Sequence, residues 1–204
     1  MSLIHGLYAI TPDCADTADL LYRARQALAG GVQVLQYRNK IVDAALQREQ
    51  ALALRSLTRE FGALFIVNDD AQLAAEVDAD GVHLGADDGE IAAARARLGP
   101  GKLIGVSCYN RAALARQAVA DGADYVAFGA FFPSGVKPEA VRATPELLQQ
   151  DYGVPVVAIG GITAENGGQL VAAGADALAV ISAVFVADDV AGAAKQFSTL
   201  FSKA

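Results

Sequence analysis

Three near-copies of one short motif decide the fold: Ala79-Asp-Gly-Val82, Gly122-Ala-Asp-Tyr-Val126 and Gly174-Ala-Asp-Ala-Leu178. Each closes a helix-like segment and opens an apolar run, as a left-handed glycine turn at a helix end does when it feeds a strand. Working outward, eight apolar runs recur: Leu7–Ile10, Val32–Leu35, Leu64–Val67, Gly81–Leu84, Leu103–Val106, Tyr125–Phe128, Val154–Ile159 and Ala177–Ile181. Between them, helical spacing of apolar residues predicts helices at Asp16–Ala29, Ala44–Phe61, Ala71–Glu76, Glu90–Leu98, Arg111–Asp121, Pro145–Gln150, Ala164–Ala173 and Val190–Lys203. Strands alternating with helices, without hairpin dipeptides, pair in parallel. The expected fold is α/β, a single-domain (β/α)8 TIM barrel over residues 1–204. A doubly wound open sheet normally carries a glycine-rich turn after its first strand. This first run ends instead in Ile10-Thr-Pro-Asp13.

Apolar residues make up 53% of the 204-residue chain, as suits strands buried on both faces. No run approaches the ~20 residues needed to span a bilayer, and the N-terminus lacks the pattern of a signal peptide. Cys14 and Cys108 show neither metal spacing nor a disulfide framework. A cytoplasmic protein is expected. A formal charge of −7 argues against a nucleic-acid partner. It does not argue against an anionic small substrate, which meets only the local charge of a cleft.

In a parallel barrel the carboxyl ends of all strands meet at one mouth. Directly behind the runs stand Thr11; Gln36, Arg38 and Lys40; Asn68 and Asp69; Asp88; Ser107; Lys137; Gly160 and Gly161; and Ser182. Extended alternation places Gln36, Arg38 and Lys40 on one side. An Arg fork beside a Lys point charge suits a pyrophosphate, although such a pentapeptide alone also reads as a solvated loop. Asp69 and Asp88, from neighbouring strands, can share Mg²⁺, which takes one or two carboxylates together with waters and phosphate oxygens. Asp70 and Asp87 read equally as helix caps. The loop Phe131–Lys137 adds a hydroxyl, glycine and a further cation. Gly160-Gly161 with Ile181-Ser182 lies where barrels often bind a monophosphate. His83 reads as a hydrogen-bonded barrel histidine, and Cys108 has no partner that would activate it.

Taken in order, Gln36-Tyr-Arg-Asn-Lys40, Val67-Asn-Asp69, Gly81-Val-His-Leu-Gly-Ala-Asp-Asp88 and Ile159-Gly-Gly-Ile162 resemble the thiamine phosphate synthase family, essentially end to end. The resemblance implies a transferase of thiamine biosynthesis. It would couple hydroxymethylpyrimidine pyrophosphate to a thiazole monophosphate, with Mg²⁺ as cofactor and those two small molecules as partners. By resemblance, Gln36, Arg38, Lys40, Asn68, Ser107 and Lys137 hold the pyrimidine pyrophosphate, with Arg38, Lys40 and Lys137 catalytic. Asp69 and Asp88 bind the metal. Ser134, Val136, Gly161, Ile181 and Ser182 surround the thiazole phosphate. The chain departs from the family at Ala86, usually Gln, and at Val136, usually Thr.

Three other functions share parts of this pattern. The related thiazole tautomerase uses a histidine after strand 5, where this chain has Tyr109. A catalytically silent phosphate-binding barrel is suggested by Val136 and Ala86. A phosphosugar isomerase would leave the paired carboxylates without a use.

Overall fold

A computed structural model describes residues 4–85, 90–133 and 141–201. Eight parallel strands close into a barrel in sequence order: β1 (Gly6–Ile10), β2 (Val34–Tyr37), β3 (Leu64–Asn68), β4 (Gly81–Leu84), β5 (Leu103–Tyr109), β6 (Tyr125–Phe128), β7 (Val156–Ile159) and β8 (Ala177–Val180). Around them lie α1 (Thr17–Ala29), α2 (Ala44–Phe61), α3 (Ala71–Glu76), α4 (Ile91–Leu98), α5 (Ala112–Ala120), α6 (Ala164–Ala172), α7 (Ser182–Phe185) and α8 (Val190–Phe201). The expected barrel is the observed one.

Strand alternation divides the core in two. Leu7, Leu35, Phe65 and Val82 face outward to the helices, whereas Tyr8, Val34, Ile66 and Tyr125 fill the barrel interior. Nearer the mouth the inward positions shrink to Ala127, Val157 and Ala179, which border an open cavity. Bulk below and small residues above make a floor and a well.

The Asp of the repeated turn has a single mechanical job. Asp80, Asp124 and Asp176 accept from the backbone N–H of Phe65, Ile104 and Val156, at 2.8, 2.8 and 2.7 Å. Each therefore clamps the start of the preceding strand at the closed end of the barrel. Arg55 grips Asp80 with both Nη atoms at 2.8 and 2.9 Å, which holds the first clamp in a bidentate fork.

Several boundaries differ from the sequence reading. The second strand begins two residues later and runs into Gln36 and Tyr37, because its inward end is polar where it meets the cavity. The expected helix Pro145–Gln150 is only a 3₁₀ turn, Pro145–Leu147. Unlike the six-residue α3, which Asp70 caps, its first turn has no side-chain cap. The short α7 after β8 was not anticipated, since four residues carry no periodicity.

Cys14 and Cys108 are both free thiols. Burial pushes the Cys108 thiol up to about 12, so it stays protonated and enclosed. At pH 8 a thiol reagent is expected to modify Cys14 alone in the native chain and both cysteines after denaturation. Peptide mass mapping reads the difference, and rapid native labelling of Cys108 would contradict this packing.

Candidate active site

The mouth is assembled first by strand β2 and its continuation. Thr11 ties that continuation down: its hydroxyl donates to the Arg38 carbonyl and accepts from the Arg38 N–H, both at 2.9 Å. Asp13 accepts from Arg38 Nη1 at 3.1 Å and from the Lys40 backbone N–H at 2.8 Å. The intervening residues turn the other way. Tyr37 Oη and Asn39 Nδ2 both donate to Oε1 of Gln50, each at 2.9 Å, and Gln50 Nε2 donates to the Cys14 carbonyl at 3.1 Å. Gln50 lies on α2 and is 0% exposed. One set of alternate residues thus anchors the segment, and the other faces the mouth.

Strand β3 delivers Asn68 and Asp69. Asp69 adopts a left-handed conformation, φ 62°, which is uncommon for a residue with a side chain. Its N–H donates to the His83 carbonyl at 2.8 Å, and its carboxylate meets Lys40 Nζ at 3.2 Å. The next residue does different work: Asp70 caps α3 by accepting from the N–H groups of Gln72 and Leu73 at 2.9 Å. Two adjacent carboxylates are thereby separated, one to a helix end and one to the site.

Two hollows meet at this rim. A polar one of about 230 Å³ is bordered by Arg38, Lys40, Asn68 and Asp69. A larger one of about 840 Å³ reaches into the barrel and is bordered by Gln36, Arg38, Asn68, Ser107, Gly161, Ile181 and Ser182. Arg38 and Asn68 belong to both. Nine of the residues singled out in the sequence are therefore brought together. Asp88, Ser134, Val136 and Lys137 lie outside the described residues, as does Ala86.

The twin glycines after β7 sit under the segment that follows β6. Gly160 and Gly161 have φ values of 101° and 64°, and a methyl group on Gly161 would fall 2.3 Å from the Pro133 carbonyl oxygen. Only glycine fits this approach. Asn166 holds the turn by donating from Nδ2 to the Gly161 carbonyl at 3.1 Å, while its Oδ1 accepts from the Thr163 N–H at 2.8 Å.

At the floor of the large hollow, Tyr8 and Tyr125, which the sequence reading passed over, link Gln36 and Ser107 through His83, the expected hydrogen-bonded barrel histidine. Gln36 Nε2 donates to Tyr8 Oη at 2.7 Å, and Tyr8 Oη lies 2.9 Å from Tyr125 Oη. His83 bridges onward, with Nδ1 3.1 Å from Tyr125 Oη and Nε2 2.9 Å from Ser107 Oγ. Burial raises both tyrosine hydroxyls well above their ordinary value, so both stay neutral. A signal was available: a tyrosine inside a buried strand requires a partner for its hydroxyl.

The donor set at Asp69 suits a hard divalent cation. It offers a carboxylate beside the side chains of Lys40 and Arg38, and no cluster of three or more metal-ligating side chains occurs among the described residues. Mg²⁺ is typically held in this way, through one or two carboxylates and the phosphates of its substrate.

Comparison with known proteins bears on the chain as a whole. A family model described as thiamine monophosphate synthase matches residues 7–184. The thiamine-phosphate synthase of Methylobacillus flagellatus is 57% identical over 201 residues, covering 98% of this chain and 96% of that protein. The thiamine-phosphate synthase of Chromobacterium violaceum is 56% identical over 200 residues, covering 97% of each. Among solved structures, the thiamine phosphate pyrophosphorylase from Pyrococcus furiosus superposes with a TM-score of 0.86 at 34% identity, over 97% of this chain and 96% of that one.

Proposed function

The chain belongs to the thiamine monophosphate synthase family and is a transferase of thiamine biosynthesis, and from that premise we propose that it couples hydroxymethylpyrimidine pyrophosphate to a thiazole monophosphate, releasing pyrophosphate. The observation that carries this reading is the pair of hollows joined through Arg38 and Asn68. The polar one fits a pyrophosphate. The larger one leaves room for two heterocycles and is bordered by the glycine turn after β7, a place where barrels often bind a monophosphate.

The chemistry is a dissociative substitution. The bond from the pyrimidine methylene to the pyrophosphate oxygen breaks, and its electron pair leaves with the pyrophosphate. The methylene becomes cation-like, supported by the electron-rich aminopyrimidine ring, and the thiazole nitrogen lone pair forms the new bond. Arg38 and Lys40 gather the growing negative charge on the leaving group, with Lys137 assigned to the same task. Gln36, Asn68 and Ser107 orient the pyrimidine end. Gly161, Ile181 and Ser182, with Ser134 and Val136, surround the thiazole phosphate. Asp69 and Asp88 would hold Mg²⁺, which supplies further charge neutralisation at the pyrophosphate. No protein nucleophile is required, and positioning with electrostatics suffices.

The test is pyrophosphate release by the purified chain. Release is expected to need both substrates, to match thiamine phosphate formation, and to stop when a chelator removes Mg²⁺. Metal-independent proton exchange on the thiazole without coupling would overturn the reading, as would binding of both substrates without product.

A further inference from the structure

The five side chains on the cavity floor form a continuous hydrogen-bonded path across the barrel, from Gln36 on β2 to Ser107 on β5. The distances alone admit either direction, and the one adopted places each buried hydroxyl proton on an acceptor. Tyr8 Oη accepts from Gln36 Nε2. In this assignment its own proton goes to Tyr125 rather than being left unpaired in the core. Tyr125 then donates to His83 Nδ1, and Nε2 carries the imidazole proton. That Nε2–H donates to Ser107 Oγ, and the hydroxyl proton of Ser107 is left to point at a ligand.

The central member is built in with care. Tyr125 is 0% exposed, and it is not among the described residues that border the cavity. Its ring lies across β5 over Gly105, where even a methyl group would fall 1.9 Å from Cζ. A bare backbone on β5 is thus what lets this hydroxyl reach both Tyr8 and His83.

Resting on the reading of the site as a pyrimidine pyrophosphate site, we propose that Tyr125 is a positioning residue: it fixes His83 as the Nε2–H tautomer, so that Ser107 is held as a hydrogen-bond donor while Gln36 presents its carbonyl Oε1 as an acceptor. The polarity of two substrate contacts on opposite sides of the barrel is therefore set together. A ligand that offers a donor to Gln36 and an acceptor to Ser107 matches the path, as an aminopyrimidine bearing a pyrophosphate does. One with the reverse pattern does not.

The test uses the whole chain and two independent readouts. The ¹⁵N shifts of the His83 ring, distinguished from those of His5 by a His5→Gln background, should report the Nε2–H tautomer in the wild type. In Tyr125→Phe they should move toward a mixture. Tyr125→Phe should also lower kcat/KM for the pyrimidine substrate about tenfold, the loss expected when one hydrogen bond to a charged group is misdirected. In a Ser107→Ala background the same change should cost less than about twofold, because the path then has nothing to orient. An Nδ1–H tautomer in the wild type would overturn the proposal, whether or not Tyr125→Phe folds. So would losses from Tyr125→Phe and Ser107→Ala that simply multiply. A wild-type chain that makes no thiamine phosphate would sink the proposed function instead, and the tautomer would still be read.

Discussion

Replacing Arg38 with alanine is expected to lower kcat for pyrophosphate release about 10²- to 10³-fold, the range seen when one preorganised donor to a developing oxyanion is removed. Arg38 borders both hollows, and in the proposed reaction that is where the leaving pyrophosphate would part from the pyrimidine. Thr11 fixes its backbone and Asp13 fixes its guanidinium, so the donor is already in place before the reaction begins. Stability should hardly change. The Arg38–Asp13 pair retains 25% and 34% side-chain exposure, and such a pair contributes about 0–1 kcal/mol at most. Arg38→Lys should recover only part of the rate, because it restores charge without the planar fork. Steady-state assays beside thermal melts separate the effects. A folded Arg38→Ala enzyme within about threefold of wild type would remove Arg38 from charge stabilisation.

Gln50→Leu is expected to act in the opposite order, on stability first and on the site only through a loosened anchor. Gln50 is fully buried and is the acceptor for both Tyr37 Oη and Asn39 Nδ2. Burial pushes the Tyr37 hydroxyl up to about 12, so it remains a neutral donor that needs an acceptor. Leucine removes that acceptor. Asn39 keeps the Cys14 carbonyl at 2.6 Å, but the Tyr37 hydroxyl loses its partner. A stranded buried polar group costs about 1–3 kcal/mol, and a loss of that size is expected. For a chain of this size that lowers Tm by roughly 2–12 °C. The same change loosens the anchor of the segment that carries Arg38 and Lys40, so KM for the pyrimidine pyrophosphate should rise in the protein that remains folded. A Gln50→Leu protein that melts with the wild type would show that Tyr37 and Asn39 find other partners.

These two residues mark what could and could not be read in advance. Arg38 was legible because it follows an apolar run and alternates with Gln36 and Lys40, a pattern contained in five residues. Gln50 was not, because it sits on the polar-looking sequence of a long helix whose buried stripe is otherwise Ala51, Leu54, Leu57 and Thr58. Its burial depends on Tyr37 and Asn39 arriving from another element. Asp69 and Asp70 show the same limit at closer range. The sequence reads Asp70 as a helix cap and Asp69 as a site carboxylate, but the left-handed turn that sends Asp69 toward Lys40 while Asp70 caps α3 appears only in the fold.

By itself the sequence determined the alternation of strand and helix, the closed parallel barrel, the family and, among the described residues, those delivered to one mouth. All of these rest on local periodicity and on the ordered spacing of short motifs, which the chain carries along its length. Tertiary structure alone decided the rest. It turned the repeated Asp into a clamp on the strand before it, reduced Pro145–Gln150 to a 3₁₀ turn, and laid Tyr125 across Gly105 within reach of Tyr8, a residue 117 positions away. A hydrogen bond requires two atoms within about 3 Å, aligned in direction. Hydrophobic periodicity specifies which face of an element is buried, but not which polar atom it meets there.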